Sequence, residues 1–79
     1  MGTKPRPKPE RLATKLLAIR QRLGVSQWGM VRLLDFQVSA SRVSEYEHGI
    51  REPNLLTILA YSRVANIPVE KIIDDELTI

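Results

Sequence analysis

Apolar residues recur along the chain with the spacing of α-helices. The first apolar stripe falls at Leu12, Leu16, Ile19 and Leu23. Because the steps between these positions are four, three and four residues, their side chains share one face of an amphipathic helix. The helical period begins at Glu10. Gly24 is suited to end this helix, since glycine readily adopts the left-handed conformation of a helix C-cap.

A second, short helix is predicted over residues 27–34. Ser26 directly precedes it, and serine is a preferred N-cap because its side-chain oxygen accepts a hydrogen bond from a backbone N–H of the first turn. The inward positions of this helix are Met30, Val31 and Leu34. Residues 35–38 then form a connector to the next element.

A third short helix is predicted to end at the pair His48 and Gly49, and it starts near residue 40. Either Ser39 or Ser41 is placed to cap it. Its inward positions, three residues apart, are Val43 and Tyr46.

Two more helices complete the predicted set. Asn54 is placed to cap a fourth helix, whose periodic positions are Leu55, Ile58, Leu59 and either Ser62 or Val64. The run Asn66-Ile67-Pro68 interrupts the chain, because proline has no backbone N–H to donate. A fifth short helix then carries Val69, Ile72 and Ile73.

This pattern predicts an all-α domain, a compact bundle of five helices around one core. Only residues 77–79 alternate in a way that would allow a strand. Seventy-nine residues suffice for one domain and not for two. We expect a basic, proline-rich, flexible arm at residues 1–9, the helical domain at residues 10–74, and a tail at residues 75–79.

The composition leaves little room for catalysis or metal binding. The chain has no cysteine and a single histidine, His48, which excludes disulfides and zinc sites built on thiolates. No nucleophile–base pair and no phosphate-cradling glycine loop is evident, so we expect no enzymatic activity, no cofactor and no metal. His48 beside Gly49 is interpreted as a helix C-cap residue. A core this small favours oligomerisation as an additional source of stability.

Charge is distributed unevenly along the chain. Residues 1–22 hold seven lysines and arginines against Glu10, whereas residues 66–79 hold four acidic residues against Lys71. This predicts a polar molecule whose basic end is attracted to polyanions; the alternative is a soluble protein with a charged tail. No apolar stretch reaches the length of a membrane span. The lack of cysteine and of an export signal indicates the cytoplasm of a prokaryote, with association to the nucleoid, or a phage-encoded protein.

Three short runs of residues follow one another along the chain: IRQRLGVSQ at 19–27, VSEYEHG at 43–49 and ANIPV at 65–69. Arg51-Glu52-Pro53 and the leucine-rich fourth helix lie between the last two. In this order the runs resemble the motifs of the phage-repressor-like (XRE) helix-turn-helix family, over residues 16–73. The resemblance implies a lambda-repressor-like DNA-binding fold and a sequence-specific transcriptional regulator, a repressor that reads a two-fold-symmetric operator as a homodimer.

The connector departs from the family pattern. The family's Leu-Gly-Val-Ser is replaced by residues 34–39, LDFQVS, which is two residues longer and has Asp35 in place of the turn glycine. Either the second helix runs longer, or the turn bulges with Phe36 tucked into the core. The exact pitch of the recognition helix stays open. Gly29, inside the second helix, costs about 1 kcal/mol relative to alanine, so we expect close approach of another helix or of DNA there.

In this family the third helix enters the major groove with its N-terminal side chains at the base edges. The resemblance therefore implies a DNA-facing set made of Ala40, Ser41, Arg42, Ser44 and Glu45. Arg42 is the strongest candidate for base reading, because a guanidinium binds guanine O6 and N7 bidentately; the alternative is a phosphate contact or a solvated charge. Glu45 can accept from cytosine N4 or orient an arginine. Ser41 and Ser44 allow close approach and can bind bases or phosphates.

Three further residues are candidates for DNA contact. Gln27 lies at the N-terminus of the second helix, where the family places a backbone contact and where the helix dipole favours phosphate; the alternative is a capping role. Trp28 can stack on the sugar-phosphate backbone or on neighbouring helices. Arg51 follows the third helix, where a phosphate contact is useful.

Arg20 and Glu47 match the positions of a buried ion pair in relatives, so we expect them to be structural. The dimer surface is expected on the fourth and fifth helices or in the tail at 76–79, where Leu77 and Ile79 have little to cover them; the alternative is a frayed tail. A rival function is a helix-turn-helix module or antitoxin that acts mainly by binding a protein partner. Trp28, Gly29 and the longer turn favour that rival, whereas the basic N-terminal arm, Gln27 and Arg42 favour DNA binding.

Overall fold

The computed structural model describes residues 10–79. The predicted arm at residues 1–9 lies outside the described residues. Five helices follow one another, α1 (Leu12–Leu23), α2 (Gln27–Leu33), α3 (Ala40–Glu47), α4 (Leu55–Ala65) and α5 (Val69–Ile73). Residues 10–79 contain no strand, and residues 77–79 form none. The prediction of an all-α, five-helix bundle is confirmed.

Side-chain caps set the start of three helices. The side-chain oxygens of Ser26, Ser39 and Asn54 each accept a hydrogen bond from a backbone N–H three residues later, at 2.9–3.1 Å. Ser39, rather than Ser41, is therefore the cap of α3. Gly24 ends α1 at a φ of 70°, the left-handed conformation that favours glycine.

The helices enclose one apolar core. α3 packs against α1 and α2, while α4 and α5 pack against α1 and against each other. The most deeply buried side chains come from all five helices and from the end of α2, and they are Leu16, Ile19, Met30, Val31, Leu34, Val43, Tyr61 and Ile72. No helix within residues 10–79 is both long and apolar enough to cross a membrane.

Of the periodic positions predicted for α4, Ile58 is buried and Leu59 and Val64 are partly buried, whereas the prediction is wrong at Leu55. Leu55 is 78% exposed, whereas Thr57, Ile58 and Tyr61 are buried. The helix reads LLTILAYSRVA, with apolar residues on nearly every side. Several stripes therefore fit the helical period, and the position of α1 decides which of them is buried.

Within the described residues, the acidic C-terminal segment contacts the start of α1. The Asp75 carboxylate accepts hydrogen bonds from the backbone N–H groups of Glu10 (2.7 Å) and Arg11 (3.0 Å). Arg11, the N-cap residue of α1, makes no side-chain capping bond itself. Asp75 thus binds the positively polarised N-terminus of α1, and the acidic segment lies against the basic one.

Lys15 holds the same segment from the side. It is only 5% exposed, and its Nζ donates to the carbonyl oxygens of Lys71 (2.8 Å) and Asp74 (2.6 Å) at the end of α5. Ile79 packs against the core, and its carbonyl oxygen accepts from Arg22. These contacts tie the C-terminal segment to α1, so Lys15 satisfies carbonyl groups of this fold instead of adding to a basic surface.

Candidate nucleic-acid interface

α3 presents a polar face to solvent. Its buried positions, Val43 and Tyr46, pack into the core as the spacing predicted. The other side of the helix carries the five candidates, of which Ser41 and Arg42 are exposed while Ala40, Ser44 and Glu45 are partly exposed. Because α2 packs directly against α3, the outer face of α3 is fixed relative to the N-terminus of α2.

The turn between α2 and α3 differs from both expectations. α2 ends at Leu33, so the helix is not longer, and the turn bulges, but Phe36 is 63% exposed instead of buried. Asp35 and Phe36 both have a φ of 58°, in the left-handed region that non-glycine residues rarely adopt. Leu34 and Val38 fill the adjoining part of the core. The additional residues are therefore accommodated by turning Phe36 outwards.

Phe36 contacts the other exposed aromatic residue of this region. Its ring meets that of Trp28 edge to face, with centroids 6.1 Å apart and an interplanar angle of 69°. Trp28 is 56% exposed. Trp28 is not among the inward positions predicted for α2, and its pairing with Phe36 depends on the bulged turn.

Gly29 has a local explanation. A Cβ at this position would lie 2.9 Å from Cβ of Val25 and 3.4 Å from Oγ of Ser26, both in the segment that leads into α2. The nearest atoms belong to the helix's own capping turn and not to another helix, while the alternative of a close approach of DNA stays a prediction. Glycine lets the Ser26 cap and Val25 fold back onto the first turn.

An exposed charge cluster connects α3 with the loop that follows it. Oε1 of Glu45 lies 3.4 Å from Nε of Arg42 and 3.4 Å from Nε of Arg51. The Arg42 and Arg51 side chains are 44% and 50% exposed, and that of Glu45 is 35% exposed. One carboxylate oxygen therefore faces two guanidinium groups that come from different elements.

The loop is held in place by the C-terminus of α3. Gly49, at a φ of 71°, donates to the carbonyl oxygen of Tyr46, and Ile50 donates to that of Glu45. These two bonds form a Schellman motif. The N–H of Arg51 also approaches the Glu45 carbonyl oxygen, at 3.4 Å. The chain thus folds back so that Arg51 lies over the exposed side of α3.

Arg20 and Glu47 form a second, buried pair. The Arg20 Nε and Nη2 donate to the two carboxylate oxygens of Glu47 at 2.7 and 3.0 Å, and Nη1 donates to the carbonyl oxygen of Val25. The Glu47 side chain is 2% exposed and that of Arg20 is 18% exposed. Hydrogen bonding to Glu47 raises the pKa of Arg20. The pair joins α1 to the end of α3.

Gln27 extends this pair towards the surface. Its side-chain amide donates to Oε1 of Glu47 at 3.2 Å, so the Gln27 side chain is oriented by the buried pair. Its position at the first residue of α2 is as predicted, but its bond to Glu47 was not foreseen. His48, the C-cap residue of α3, has its Nδ1 2.8 Å from the Ser44 carbonyl oxygen.

Residues 16–72, more than two thirds of the chain, match the model of the Helix-turn-helix family, the XRE or lambda-repressor-like type. The chain belongs to this family. The earlier resemblance is thereby confirmed, and α2 and α3 are the two helices of the motif. The family is one of DNA-binding transcriptional regulators. No curated protein and no solved structure matches the chain significantly.

Residues 10–79 hold no group of three His, Cys, Asp or Glu side chains that could bind a metal ion. The buried Tyr61, which sequence reasoning missed, has a hydroxyl without a hydrogen-bond partner within that range. Burial raises its pKa, which keeps the hydroxyl protonated and uncharged.

Proposed function

We propose that this helix-turn-helix protein is a sequence-specific repressor that reads DNA through α3. The observation that carries the proposal is the outer face of α3. There Ser41 and Arg42 are exposed at the N-terminal end of the second helix of the motif. In this architecture that end of the helix meets the base edges in the major groove.

Each candidate has a proposed role. Arg42 binds a guanine, because its two Nη groups form a fork that matches O6 and N7. Ser41 and Ser44 contact bases or phosphates, and the small Ala40 lets the helix approach closely. Phosphate contacts come from Arg51 and from the N-terminus of α2, where Gln27 and Trp28 lie.

We further propose that two copies bind a two-fold-symmetric operator and meet at the start of α4. One recognition helix reads few base pairs, so specific binding needs two half-sites. Ile50, Leu55 and Leu56 are 73%, 78% and 71% exposed, and they lie on the α3–α4 loop and the first turn of α4. An apolar surface directly after the recognition helix suits a symmetric contact beside the DNA. The C-terminal tail is less suitable, because Ile79 packs against the protein's own core.

A second candidate function is protein binding through α2 and the bulged turn. Trp28 and Phe36 form an exposed aromatic pair, and aromatic residues are enriched at protein interfaces. If this were the main function, Trp28→Ala with Phe36→Ala would abolish partner binding, whereas Arg42→Ala would leave partner binding unchanged.

The decisive experiment is selection of binding sites from a random DNA pool at near-physiological salt, with the wild type and with Arg42→Ala. We expect a two-fold-symmetric site, with preference relaxed at one position of each half-site in the variant. Arg63→Ala, an exposed arginine on α4, is the control and should select the wild-type site. Enrichment of no sequence by the wild type would refute the proposed function.

The dimer surface is tested by sedimentation equilibrium of single-charge variants. Leu56→Glu should give a monomer that binds a half-site weakly, because a charge would be buried at the interface. Ile73→Glu, on the exposed side of α5, should remain a dimer. Dissociation by the α5 variant alone would place the interface on α5.

A further inference from the structure

Glu45 is an unusual neighbour for two DNA-binding candidates, because a carboxylate on a DNA-facing helix is repelled by phosphates. Its side chain nevertheless lies on the same face as Arg42, one helical turn away, and beneath Arg51. Both contacts use the same oxygen, Oε1. This sharing makes Glu45 the centre of the cluster.

The contact of each arginine with Glu45 is made by its Nε, at 3.4 Å from Oε1. A guanidinium has five N–H donors, of which four belong to the two Nη groups. When Nε faces the carboxylate, the fork of Nη groups remains available on the far side. That fork is the part of an arginine that binds guanine or phosphate bidentately.

The backbone reinforces this arrangement. The carbonyl oxygen of Glu45 accepts from Ile50 at 3.0 Å and faces the N–H of Arg51 at 3.4 Å. Residue 45 therefore fixes the loop through its main chain and the two guanidinium groups through its side chain. Exposed ion pairs contribute little to stability. The main effect of this cluster is therefore to orient its two arginines.

We propose that Glu45 is a positioning residue that holds Arg42 and Arg51 side by side, and thereby couples base reading by α3 to phosphate binding by the loop. This inference rests on the proposed function. Glu45 lowers the total attraction to DNA, because it carries a negative charge, but it prevents the two cations from separating. Glu45 therefore lowers the affinity for non-specific DNA and raises the ratio of specific to non-specific affinity.

The test compares Glu45→Gln with the wild type on the selected operator and on a scrambled duplex, by fluorescence anisotropy over a series of salt concentrations. We expect the scrambled duplex to bind the variant at least as tightly as the wild type, since a repulsive charge is gone. The ratio of specific to non-specific affinity should fall about ten-fold, because the arginine forks lose their orientation.

Glu52→Gln is the matched control, because it removes the same charge from an exposed glutamate of the same loop. It should raise both affinities together and leave their ratio unchanged. The same ratio in Glu45→Gln and in the wild type would overturn the inference and leave Glu45 as a repulsive charge only. Equal losses on both duplexes would also overturn it, because a purely structural role predicts them.

The coupling itself is measured by a double-mutant cycle of Arg42→Ala and Arg51→Ala on the operator. The two losses should be non-additive with Glu45 present and additive in the Glu45→Gln background. Additive losses in both backgrounds would contradict the coupling while leaving DNA reading intact. Absence of any selected operator for the wild type would instead refute the proposed function, so the two failures are distinguishable.

Discussion

Two glutamates on α3, Glu45 and Glu47, both bind arginine, yet their surroundings give them different roles. Glu47 is 2% exposed and accepts two bonds from Arg20 and one from Gln27. Glu45 is 35% exposed, at 3.4 Å from each of its two arginines. A buried carboxylate needs its partners for the fold to form, whereas an exposed one adds little stability. Burial, and not residue type, separates the structural pair from the cluster proposed to bind DNA.

The largest expected effect comes from Glu47→Ala. Removing one partner strands the Arg20 charge between α1 and α3, so the free energy of unfolding should fall by about 3 kcal/mol. Urea denaturation followed by circular dichroism measures this difference. Glu45→Ala should change the same quantity by less than about 0.5 kcal/mol. Similar losses for both variants would contradict the division between the two glutamates.

A smaller effect is expected for Arg42→Lys, measured as binding to the selected operator and to single-base variants of it. Lysine keeps the charge but lacks the planar fork, so discrimination at one base per half-site should fall by about 1–3 kcal/mol. The salt dependence of binding should stay as in the wild type, because the number of cations is unchanged. Retained discrimination would show that Arg42 binds phosphate instead.

Tyr61→Phe tests whether an unpaired polar group in the buried core lowers the stability of the fold. The Tyr61 hydroxyl is buried without a partner among residues 10–79, and such a group costs free energy on folding. Its removal should raise the free energy of unfolding by about 1 kcal/mol. Tyr46→Phe is the control, because the Tyr46 hydroxyl is not one of the buried unpaired groups. A loss of stability in Tyr61→Phe would reveal a hydrogen bond that matters in solution.

The smallest effect at neutral pH is expected for Asp75→Asn. Backbone N–H groups of Glu10 and Arg11 hold the pKa of the Asp75 carboxyl below its usual value of 3.8. The ionised form is therefore favoured by folding. Its contribution is complete above the unfolded pKa and is lost as the pH falls through the lower, folded pKa.

The melting temperature measured from pH 2 to pH 6 tests this linkage. The wild type should lose stability below about pH 4 more steeply than Asp75→Asn. Glu76→Gln changes a neighbouring exposed carboxyl whose side chain makes no hydrogen bond within the described residues, and it should follow the wild-type curve. Identical curves for all three proteins would show that Asp75 does not cap α1 in solution.

Much of the fold could be predicted from local sequence. Ser26, Ser39, Asn54 and Gly24 mark helix ends through bonds and backbone angles that involve only neighbouring residues. The helices α1, α2 and α3 each contain enough polar residues to leave a single apolar face, and that face is the buried one. The family motifs then predicted which helix would face DNA, and the match over residues 16–72 confirms the family.

The candidate site was less predictable, because its contacts join distant parts of the chain or depend on backbone that no pattern specifies. The sequence placed Arg42 and Glu45 on one face of α3, but the contact with Arg51 depends on the Schellman turn. One of the two alternatives for the connector placed Phe36 in the core, yet the left-handed backbone at Asp35 and Phe36 turns it towards Trp28.

The sequence by itself determined the helices, their caps and the helix-turn-helix motif, because these follow from periodicity and from interactions between near neighbours. Only the tertiary structure decided which face of α4 is buried and how the C-terminal segment is joined to the start of α1. Lys15 and Asp75 show the reason: their partners lie more than fifty residues away. A local pattern records which side chains are polar, but the packing of helices determines which distant carbonyl or N–H group each one meets.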